Sequence, residues 1–485
     1  MTLFKRFSDR RTTLRKLYGA NVEGVKEAIT VVGGGYVGLI TSACFARLGH
    51  QVFCLEIDHA RAEALQDDRL PIKEPGLAEV WERGRAAGLL KVTRSYREAM
   101  KQSGFVFLAV GTPAKANGAV DLRQVISAVR SAATATNGDS PVIVLKSTVP
   151  PGTAELVADV WREYHPDDEP RVVSNPEFLR EGQAVFDFMR PARIVVGADE
   201  RETAELVGAL YEKLRRPVVY TSTRAAEMIK YASNAFLCTK VSFINELAAL
   251  CEEIGVDVVD VSEALGMDPR IGSSYLGAGL GWGGSCLPKD IGGLIWSASR
   301  MGVHTPVLSA AVKINKRQIR LAAARLESLI GDLNGKTIAV WGLAFKANCD
   351  DIRESPALAL VRLLGEYGCK VRAYDPVAMD ESARLYPEVE YCAGPYEAAT
   401  GADAIVLATA WSQFGSLDFD RLRTLVQRPL ILDGRNFLDG EAATDAGFIY
   451  VGIGRAVAGP DFEPGNRDVL PHLQPARRRV RTRSA

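Results

Sequence analysis

The sequence predicts an α/β protein in which two doubly wound parallel sheets are joined by a long helical central region. Between residues 28 and 217, short apolar runs such as AITVV and PVIVL alternate with helical patterns, which is typical of parallel strands covered on both faces. From residue 218 to 330 the strands stop, and apolar positions recur at helical spacing. After residue 331 the alternation returns in runs such as KTIAVW and DAIVLATAW, which indicates the second sheet.

The strongest helical pattern begins near Thr223 and continues for about 30 residues, with Gly255 as its expected stop. A second one is expected from about Pro306 to Ile330. The predicted domains are a basic N-terminal extension (1–27), a first sheet domain (28–217), a helical central and dimerisation domain (218–330), a second sheet domain (331–460) and a basic flexible tail (461–485).

The amino-acid composition argues against nucleic acid, membranes and metal ions as binding partners. The 485 residues include 59 basic and 59 acidic side chains, so the formal net charge is zero and nothing favours nucleic acid as a partner. No apolar run reaches the roughly 18 residues of a membrane span. The eight cysteines form no pair or cluster of metal-binding spacing, which predicts no metal site and fits a reducing, cytoplasmic setting.

A glycine motif follows the first strand. Gly33, Gly35 and Gly38 have the spacing GxGxxG between AITVV and the helical pattern YVGLITSACFARLG, the context of a dinucleotide-binding Rossmann turn. Glu56 ends the next strand, where an acid binds ribose hydroxyls and repels a 2′-phosphate, so NAD is predicted over NADP. Arg61 either covers the adenine or remains a solvated helix charge.

Two further loops follow strands at the same predicted sheet edge. Thr112 ends the strand FVFLAV, and Thr148 follows PVIVL within KSTVP. Because ligands of open α/β sheets bind outside the carboxyl ends of the strands, both loops are candidate cofactor contacts.

Cys286 is the candidate nucleophile. It lies on a glycine-rich loop, and Lys289 and Asp290 follow within one helical turn. A nearby cation favours the thiolate, which is the reactive form. The alternative is that Cys286 is a buried structural cysteine. The dinucleotide motif disfavours this alternative, because a thiol and a nicotinamide together suit oxidation through a thiohemiacetal and a thioester.

Polar residues elsewhere lie at i, i+4 spacing. Lys230 and Asn234 share one face of a predicted helix, where they either stabilise an oxyanion or simply extend a lysine to solvent. Glu177 and Glu181, in NPEFLREG after the strand RVVS, either orient water and contact the cofactor or favour a helix N-terminus through its dipole.

Together these motifs resemble the UDP-glucose 6-dehydrogenase family of NAD-dependent nucleotide-sugar dehydrogenases. The resemblance covers about residues 28–454 and rests on several long motifs in order: GGGYVG, STVPPGT, NPEFLREG, IKYASNAF, RIGSSYLGAGLGWGGSCLPKD, GLAFKANCDDIRESPA and DGRNFL. It implies two successive hydride transfers from C6 of UDP-glucose to NAD, with UDP-glucuronate as the product. A homodimer or higher homo-oligomer is expected.

The resemblance also implies residue roles. Cys286 is the nucleophile, Lys230 and Asn234 stabilise the oxyanion, Asp290 orients groups and water, and Thr148 and Glu177 hold the catalytic water. The implied cofactor contacts are Gly33, Gly35, Val37, Gly38, Glu56, Arg61, Thr112, Thr148, Glu181, Lys289 and Arg353. The implied substrate contacts are Phe178, Leu179, Lys230, Asn234, Arg270, Tyr275, Gly283, Phe345, Lys346 and Arg435, with one or both arginines donated by a partner subunit.

Departures from the family pattern are small. Trp282 replaces a smaller aromatic residue, Gly34 replaces an alanine-like residue, and Glu56 replaces aspartate. Sister enzymes that oxidise GDP-mannose or a UDP-N-acetylhexosamine use the same chemistry and remain the nearest alternative. An inactive nucleotide-sugar-binding scaffold is a further alternative, but no catalytic group is missing.

Overall fold

The structure is a computed structural model that describes residues 28–137 and 140–459. The predicted basic segments 1–27 and 461–485 lie outside the described residues. The chain divides into two compact units. In the described ranges, the first comprises 28–237 and 286–308, and the second comprises 238–285 and 309–459.

The first unit contains an eight-stranded sheet. Its strands are β1 (Ala28–Val32), β2 (Val52–Leu55), β3 (Leu90–Thr93), β4 (Ser103–Leu108), β5 (Val142–Leu145), β6 (Val172–Ser174), β7 (Ile194–Gly197) and β8 (Val218–Thr221). The spatial order is β3-β2-β1-β4-β5-β6-β7-β8. The first six strands are parallel and have the order of a dinucleotide-binding sheet, with the change of direction between β1 and β4. Only the β6–β7 pairing, Ser174 with Gly197, is antiparallel within the described part of this sheet.

Helices cover both faces of this sheet. They are α1 (Tyr36–Arg47), α2 (His59–Gln66), α3 (Leu77–Ala86), α4 (Tyr96–Met100), α5 (Arg123–Ala135), α6 (Thr153–Arg162), α7 (Ala184–Met189) and α8 (Arg201–Ala209), with a 3-10 turn at Glu212–Leu214. Successive strand residues enter opposite layers: Phe105 and Phe107 pack in one core, and Val106 and Leu108 pack in the other. Both faces are therefore apolar, as the unbroken hydrophobic runs predict.

Long helices follow. They are α9 (Thr223–Ile254), α10 (Val258–Met267), α11 (Leu287–Arg300) and α12 (Pro306–Ile330). The sequence pattern predicts the two longest of them closely: α9 ends directly before Gly255, which has φ +72°, and α12 has the expected bounds.

The second unit contains a six-stranded parallel sheet of order β11-β10-β9-β12-β13-β14. Its strands are β9 (Thr337–Trp341), β10 (Lys370–Tyr374), β11 (Glu390–Tyr391), β12 (Ala404–Leu407), β13 (Leu430–Asp433) and β14 (Ile449–Gly452). Its helices are α13 (Pro356–Glu366), α14 (Met379–Leu385), α15 (Pro395–Ala399), α16 (Phe419–Leu425) and α17 (Gly440–Asp445), with a 3-10 turn at Ser412–Ser416. The predicted α/β class with two sheets and a helical central region is confirmed.

The first turns of the two sheets differ in what binds their amide groups. After β9, the N–H groups of Leu343 and Ala344 donate to the buried carboxylate of Asp375, at 2.7 and 3.1 Å. After β1, the N–H of Gly34 donates to Glu56, but the turn continues through a second glycine into α1. In the second unit an internal acid therefore occupies the amides with which a Rossmann turn binds phosphate.

Candidate active site

The glycine turn after β1 is shaped by close backbone approach. Gly33 has φ +108°, and a Cβ on it would lie 2.7 Å from the carbonyl oxygen of Ala109. A Cβ on Gly38 would collide with the carbonyl oxygen of Gly33. Only glycine satisfies both positions, because one needs the left-handed backbone region and the other lets α1 start close to the strand.

Gly35 has no such internal reason to be glycine. Among the described residues, no atom lies within 4 Å of the position that its Cβ would take. It caps the N-terminus of α1 with an extended backbone, and no side chain caps the free N–H groups of that helix end. A bare glycine beside an uncapped helix N-terminus fits the close approach of a pyrophosphate, so this turn fits a dinucleotide.

Glu56 is buried at the end of β2 and binds the glycine turn. Its Oε2 accepts from the Gly34 N–H at 2.9 Å, and its Oε1 accepts from the Asp58 N–H at 2.9 Å. Arg61 Nη1 lies 3.2 Å from Glu56 Oε2. Arg61, for which the sequence leaves two roles open, is therefore paired with this carboxylate and is not simply a solvated helix charge. The acid thus braces the glycine turn.

The other implied cofactor contacts in this unit lie on neighbouring loops. The Thr112 hydroxyl donates to the Thr148 carbonyl at 3.0 Å, which joins the loops after β4 and β5. Val37 is the second residue of α1, and Glu181 lies in the non-helical segment that connects β6 to α7. Residues 175–180 are not helical and α7 begins only at Ala184, so Glu177 and Glu181 do not share a helix face.

Lys230 and Glu177 form a buried ion pair. Lys230 Nζ is 3.0 Å from Glu177 Oε1, and the side chains are 5% and 6% exposed. Burial alone raises the pKa of Glu177, but the charge of Lys230, the Leu179 N–H and Lys146 outweigh it and hold the pKa below its usual range. Burial lowers the pKa of Lys230, yet Glu177, Asp290 and Cys286 raise it above its ordinary value. Both groups are therefore charged at neutral pH.

Asn234 lies one helical turn beyond Lys230 and binds a second carboxylate. Its Nδ2 donates to Asp290 Oδ2 at 2.6 Å, and Lys289 Nζ is 2.6 Å from Asp290 Oδ1. Asp290 is fully buried in the first turn of α11. The helix cap is Cys286, whose carbonyl accepts from the Asp290 N–H and whose thiol is exposed. Lys230, Asn234, Asp290 and Cys286 are thus brought together, and Lys289 is paired with Asp290.

A buried lysine lies beside this group. Lys146, which follows β5, donates to Asn175 Oδ1 at 3.1 Å and to the Tyr211 hydroxyl at 3.2 Å. Burial lowers the pKa of Lys146 to about 7, with Glu177 opposing and Lys230 adding to the shift. Lys146, Glu177 and Phe178 line a pocket of about 220 Å³. The guanidinium of Arg193 lies 3.8 Å from the Phe178 ring centroid at the same pocket.

Sequence reasoning missed Glu227. This buried carboxylate accepts from the N–H groups of Gly152 and Ala154, at 2.7 and 2.9 Å, and from the Ser174 hydroxyl at 3.0 Å. It therefore ties α9 to the start of α6 and to the end of β6. The sequence does contain a sign of this residue. Glu227 lies three residues before Lys230 on the same helix, and an acid on an otherwise apolar helix face indicates a buried hydrogen-bond partner.

The three arginines of the second unit that the resemblance implies as ligand contacts differ in their partners. Arg270 and Arg353 each form a two-pronged ion pair with an acid two residues away, Asp268 and Asp351. Arg435 is different: it donates to the carbonyls of Ala408 and Gly281, and its buried Nη2 has no hydrogen-bond partner among the described residues. Burial lowers the pKa of Arg435 to about 10, with Asp433 opposing, so it remains charged at neutral pH.

The remaining implied contacts surround the glycine-rich loop. Tyr275 has φ +65°, a left-handed conformation that is costly for a bulky residue. Internal packing requires glycine at two positions of this loop. A Cβ on Gly283 would collide with the Glu354 carbonyl, and one on Gly284 would lie 2.8 Å from the Phe345 ring. Lys346 Nζ lies 5.4 Å from the centroid of that ring.

Within residues 28–137 and 140–459, no group of three or more His, Cys, Asp and Glu side chains is arranged to hold a metal ion. No helix in these ranges combines the length and the apolar character that crossing a membrane requires.

Known proteins match this chain over most of its length. Sequence models of the UDP-glucose/GDP-mannose dehydrogenase family match residues 27–215 (NAD binding domain), 224–317 (central domain) and 339–440 (UDP binding domain). The chain is 43% identical over 434 residues to a UDP-glucose 6-dehydrogenase of Rhizobium meliloti, covering 88% of this chain and 99% of that protein.

Solved structures agree with the sequence matches. A UDP-glucose dehydrogenase from Pyrobaculum islandicum has a TM-score of 0.84 and 38% identity, over 90% of this chain and 100% of that one. A UDP-D-ManNAc dehydrogenase from Pyrococcus horikoshii has a TM-score of 0.78 and 28% identity, over 88% of this chain and 99% of that one. The chain therefore belongs to the UDP-glucose/GDP-mannose dehydrogenase family.

Proposed function

We propose that this protein oxidises UDP-glucose at C6 to UDP-glucuronate, with two NAD consumed per sugar and a thioester on Cys286 as the intermediate. One observation carries the proposal: an exposed cysteine caps α11 within electrostatic reach of Lys230, in the unit that also contains the dinucleotide turn. The match to a relative named UDP-glucose 6-dehydrogenase, at 43% identity over nearly its whole length, supports the substrate.

The cofactor site is proposed at the glycine turn. The N–H groups at the start of α1 would bind the pyrophosphate, and Glu56 would bind the ribose hydroxyls. When bound there, NAD supplies the hydride acceptor for each oxidation. The further proposed contacts are Val37, Arg61, Thr112, Thr148, Glu181, Lys289 and Arg353.

In the first oxidation the C6 hydroxyl loses a proton and C6 loses a hydride, which leaves an aldehyde. Lys230 and Asn234 stabilise negative charge on the C6 oxygen through the ammonium and the amide N–H. The proton passes to Glu177, directly or through a water that Thr148 holds. Glu177 is available as the acceptor because its carboxyl group is ionised next to Lys230.

The second oxidation begins when the Cys286 thiolate attacks the aldehyde carbon and forms a C–S bond. Lys230 and Asn234 again stabilise the oxyanion of this thiohemiacetal. Loss of a second hydride from C6 gives the thioester. Glu177 first releases to solvent the proton that it took up in the first oxidation. A water, deprotonated by Glu177 and oriented by Asp290, then attacks the carbonyl carbon, the C–S bond breaks, and the uronate and the thiolate are released.

For the sugar nucleotide, we propose that Arg435 binds a phosphate oxygen. The buried Nη2 of Arg435 has no hydrogen-bond partner among the described residues, and a phosphate oxygen would accept its hydrogen bond. The further proposed contacts are Phe178, Leu179, Arg270, Tyr275, Gly283, Phe345 and Lys346.

We also propose a division of the chain into three domains, at residues 28–217, 218–330 and 331–460. The three family matches support it, because each lies within or close to one of these ranges.

A homodimer in the cytoplasm is also proposed. Phe236, Phe243 and Leu250 recur every seven residues along α9 and are 64%, 48% and 55% exposed. A row of large apolar side chains on one helix face is typical of a helix that packs against a second copy. Light scattering on Phe243→Lys tests this: a monomer supports the interface, and an unchanged dimer contradicts it.

The test of function is the number of NADH formed per sugar consumed, with UDP-glucose, UDP-N-acetylglucosamine, UDP-N-acetylmannosamine and GDP-mannose in parallel. About two NADH per UDP-glucose, with little on the others, is expected. A ratio near one would exclude the thioester route. Turnover of only another nucleotide sugar would keep the mechanism and favour a sister activity, and no turnover of any would favour an inactive binding protein.

A further inference from the structure

Glu74 is a buried carboxylate that joins two functional segments of the first unit. It is 8% exposed and lies in the loop before α3. Its Oε2 accepts from the Tyr36 hydroxyl and from the Gly182 N–H, the latter at 2.7 Å. Its Oε1 accepts from the Ala184 N–H at 2.6 Å. One side chain thus binds Tyr36 and two amide groups of residues 182–184, which lie far from Tyr36 in the sequence.

These donors belong to two segments, the dinucleotide turn and the segment of Glu177 and Glu181, whose relative positions matter for the proposed reaction. Tyr36 is the first residue of α1, within the turn GGGYVG. Gly182 ends the segment NPEFLREG, which carries Glu177 at one end and Glu181 at the other.

The chemistry of the contact favours a fixed geometry. Burial, together with the hydrogen bond to Glu74 and the charges of Glu74 and Glu181, raises the pKa of Tyr36 well above its ordinary value, so the phenol remains a donor. Hydrogen bonds to a carboxylate are stronger than neutral ones. The Leu77 N–H donates to the Glu74 carbonyl at 3.1 Å, which holds the backbone of Glu74 itself.

We propose that Glu74 is a positioning residue that holds the segment of Glu177 and Glu181 in register with the dinucleotide turn, through Tyr36. The inference rests on the proposed function, because it assigns that segment a part in the reaction. Glu74 itself touches no reacting atom in this scheme. Its loss would displace Glu177 and Glu181, and a displacement of about 1 Å is enough to lower a rate on the order of 100-fold.

The test compares Glu74→Gln, Tyr36→Phe and the double variant with wild type. Tyr391→Phe is the matched control, because its hydroxyl also makes a hydrogen bond, to the Tyr386 carbonyl, in the second unit. The measurements are kcat and KM for both substrates, NADH affinity by fluorescence, the melting temperature, and hydrogen exchange of a peptide spanning 176–184.

In Glu74→Gln we expect faster exchange in residues 182–184, and a kcat lowered on the order of 10- to 100-fold with little change in melting temperature. Tyr36→Phe should change kcat in the same direction but less. The double variant should lose no more than Glu74→Gln alone, because the tyrosine acts through the carboxylate. Tyr391→Phe should match wild type.

Two results would overturn the proposal. One is faster exchange with an unchanged kcat, which would mean that the segment is loosened without consequence. The other is a lowered melting temperature with unchanged kcat and exchange, which would make Glu74 only a stability residue. If wild type itself forms no NADH from UDP-glucose, the proposed function fails, whereas exchange and NADH affinity still decide whether Glu74 holds the segment.

Discussion

Lys230 and Glu177 form an ion pair between a helix and an irregular loop, with 3.0 Å between Lys230 Nζ and Glu177 Oε1 and almost no exposure of either side chain. Each residue is the nearest opposite charge of the other, so removing either one weakens the electrostatic compensation of its buried partner. The pair therefore combines a structural and a chemical role, and the two are separable by experiment.

Lys230→Met should lower the free energy of unfolding by about 3–5 kcal/mol, because it leaves the Glu177 carboxylate buried without a cation. The double variant Lys230→Met with Glu177→Gln should recover most of that stability and none of the activity. Urea unfolding and NADH formation measure the two effects. Recovery of activity in the double variant would remove both residues from the proposed mechanism.

Cys286→Ser should form no more than one NADH per UDP-glucose, because without the thiol the route to the thioester is closed at or before the aldehyde. Cys286→Ala shows whether the serine hydroxyl substitutes for the thiol. Cys369→Ser is the control, since that partly buried thiol donates to the Leu333 carbonyl in the second unit. Normal uronate formation by Cys286→Ser contradicts the covalent mechanism.

Gly35→Ala should weaken NADH binding, whereas Gly38→Ala should lower the stability of the fold. A Cβ at Gly35 meets no atom within 4 Å among the described residues, so Gly35→Ala should fold normally but bind NADH on the order of 10-fold more weakly. Gly38→Ala should be destabilised, because its Cβ would collide with the Gly33 carbonyl. Melting temperature and NADH fluorescence separate the two, and unchanged NADH affinity in Gly35→Ala would count against this turn as the cofactor site.

Lys146 should make stability depend on pH above neutrality. Burial lowers its pKa to about 7 in the folded protein, whereas an unfolded lysine has a pKa of about 10.4. Between these values the unfolded chain binds more protons, so the free energy of unfolding rises as pH increases from about 7 to 10. Lys146→Met should remove that rise.

The measurement for Lys146 is urea unfolding of wild type and Lys146→Met at several pH values across this window. Lys91→Met serves as the control, since the Lys91 side chain is 60% exposed. Its difference from wild type should not vary with pH. A constant difference between wild type and Lys146→Met would mean that Lys146 does not titrate in this window.

Local periodicity is what made much of the fold predictable. The 3.6-residue pattern gave the bounds of α9 and α12 and placed Lys230 and Asn234 on one face, and the apolar runs predicted the central strands. The strands β3, β8 and β11 were not predicted. They are short and lie at or next to sheet edges, where fewer apolar residues are needed.

Long-range pairing is what sequence could not supply. Glu177 meets Lys230, and Glu74 meets Ala184 across 110 residues, only because the sheet brings its loops to one edge. The i, i+4 spacing of Glu177 and Glu181 suggested a helix that is absent there, since a prolyl residue at 176 and the carboxylate–amide contact from Glu177 to the Leu179 N–H favour an irregular loop.

Helix α9 carries Glu227, Lys230 and Asn234 within two turns, and each holds a group from a different part of the first unit. Their mutual angles are set by the helical repeat alone. Inserting one residue between Glu227 and Asn234 would rotate one contact by about 100° relative to the other. The length of α9 between Glu227 and Asn234 is therefore fixed by three contacts at once, since no insertion or deletion of a single residue there could preserve all of them.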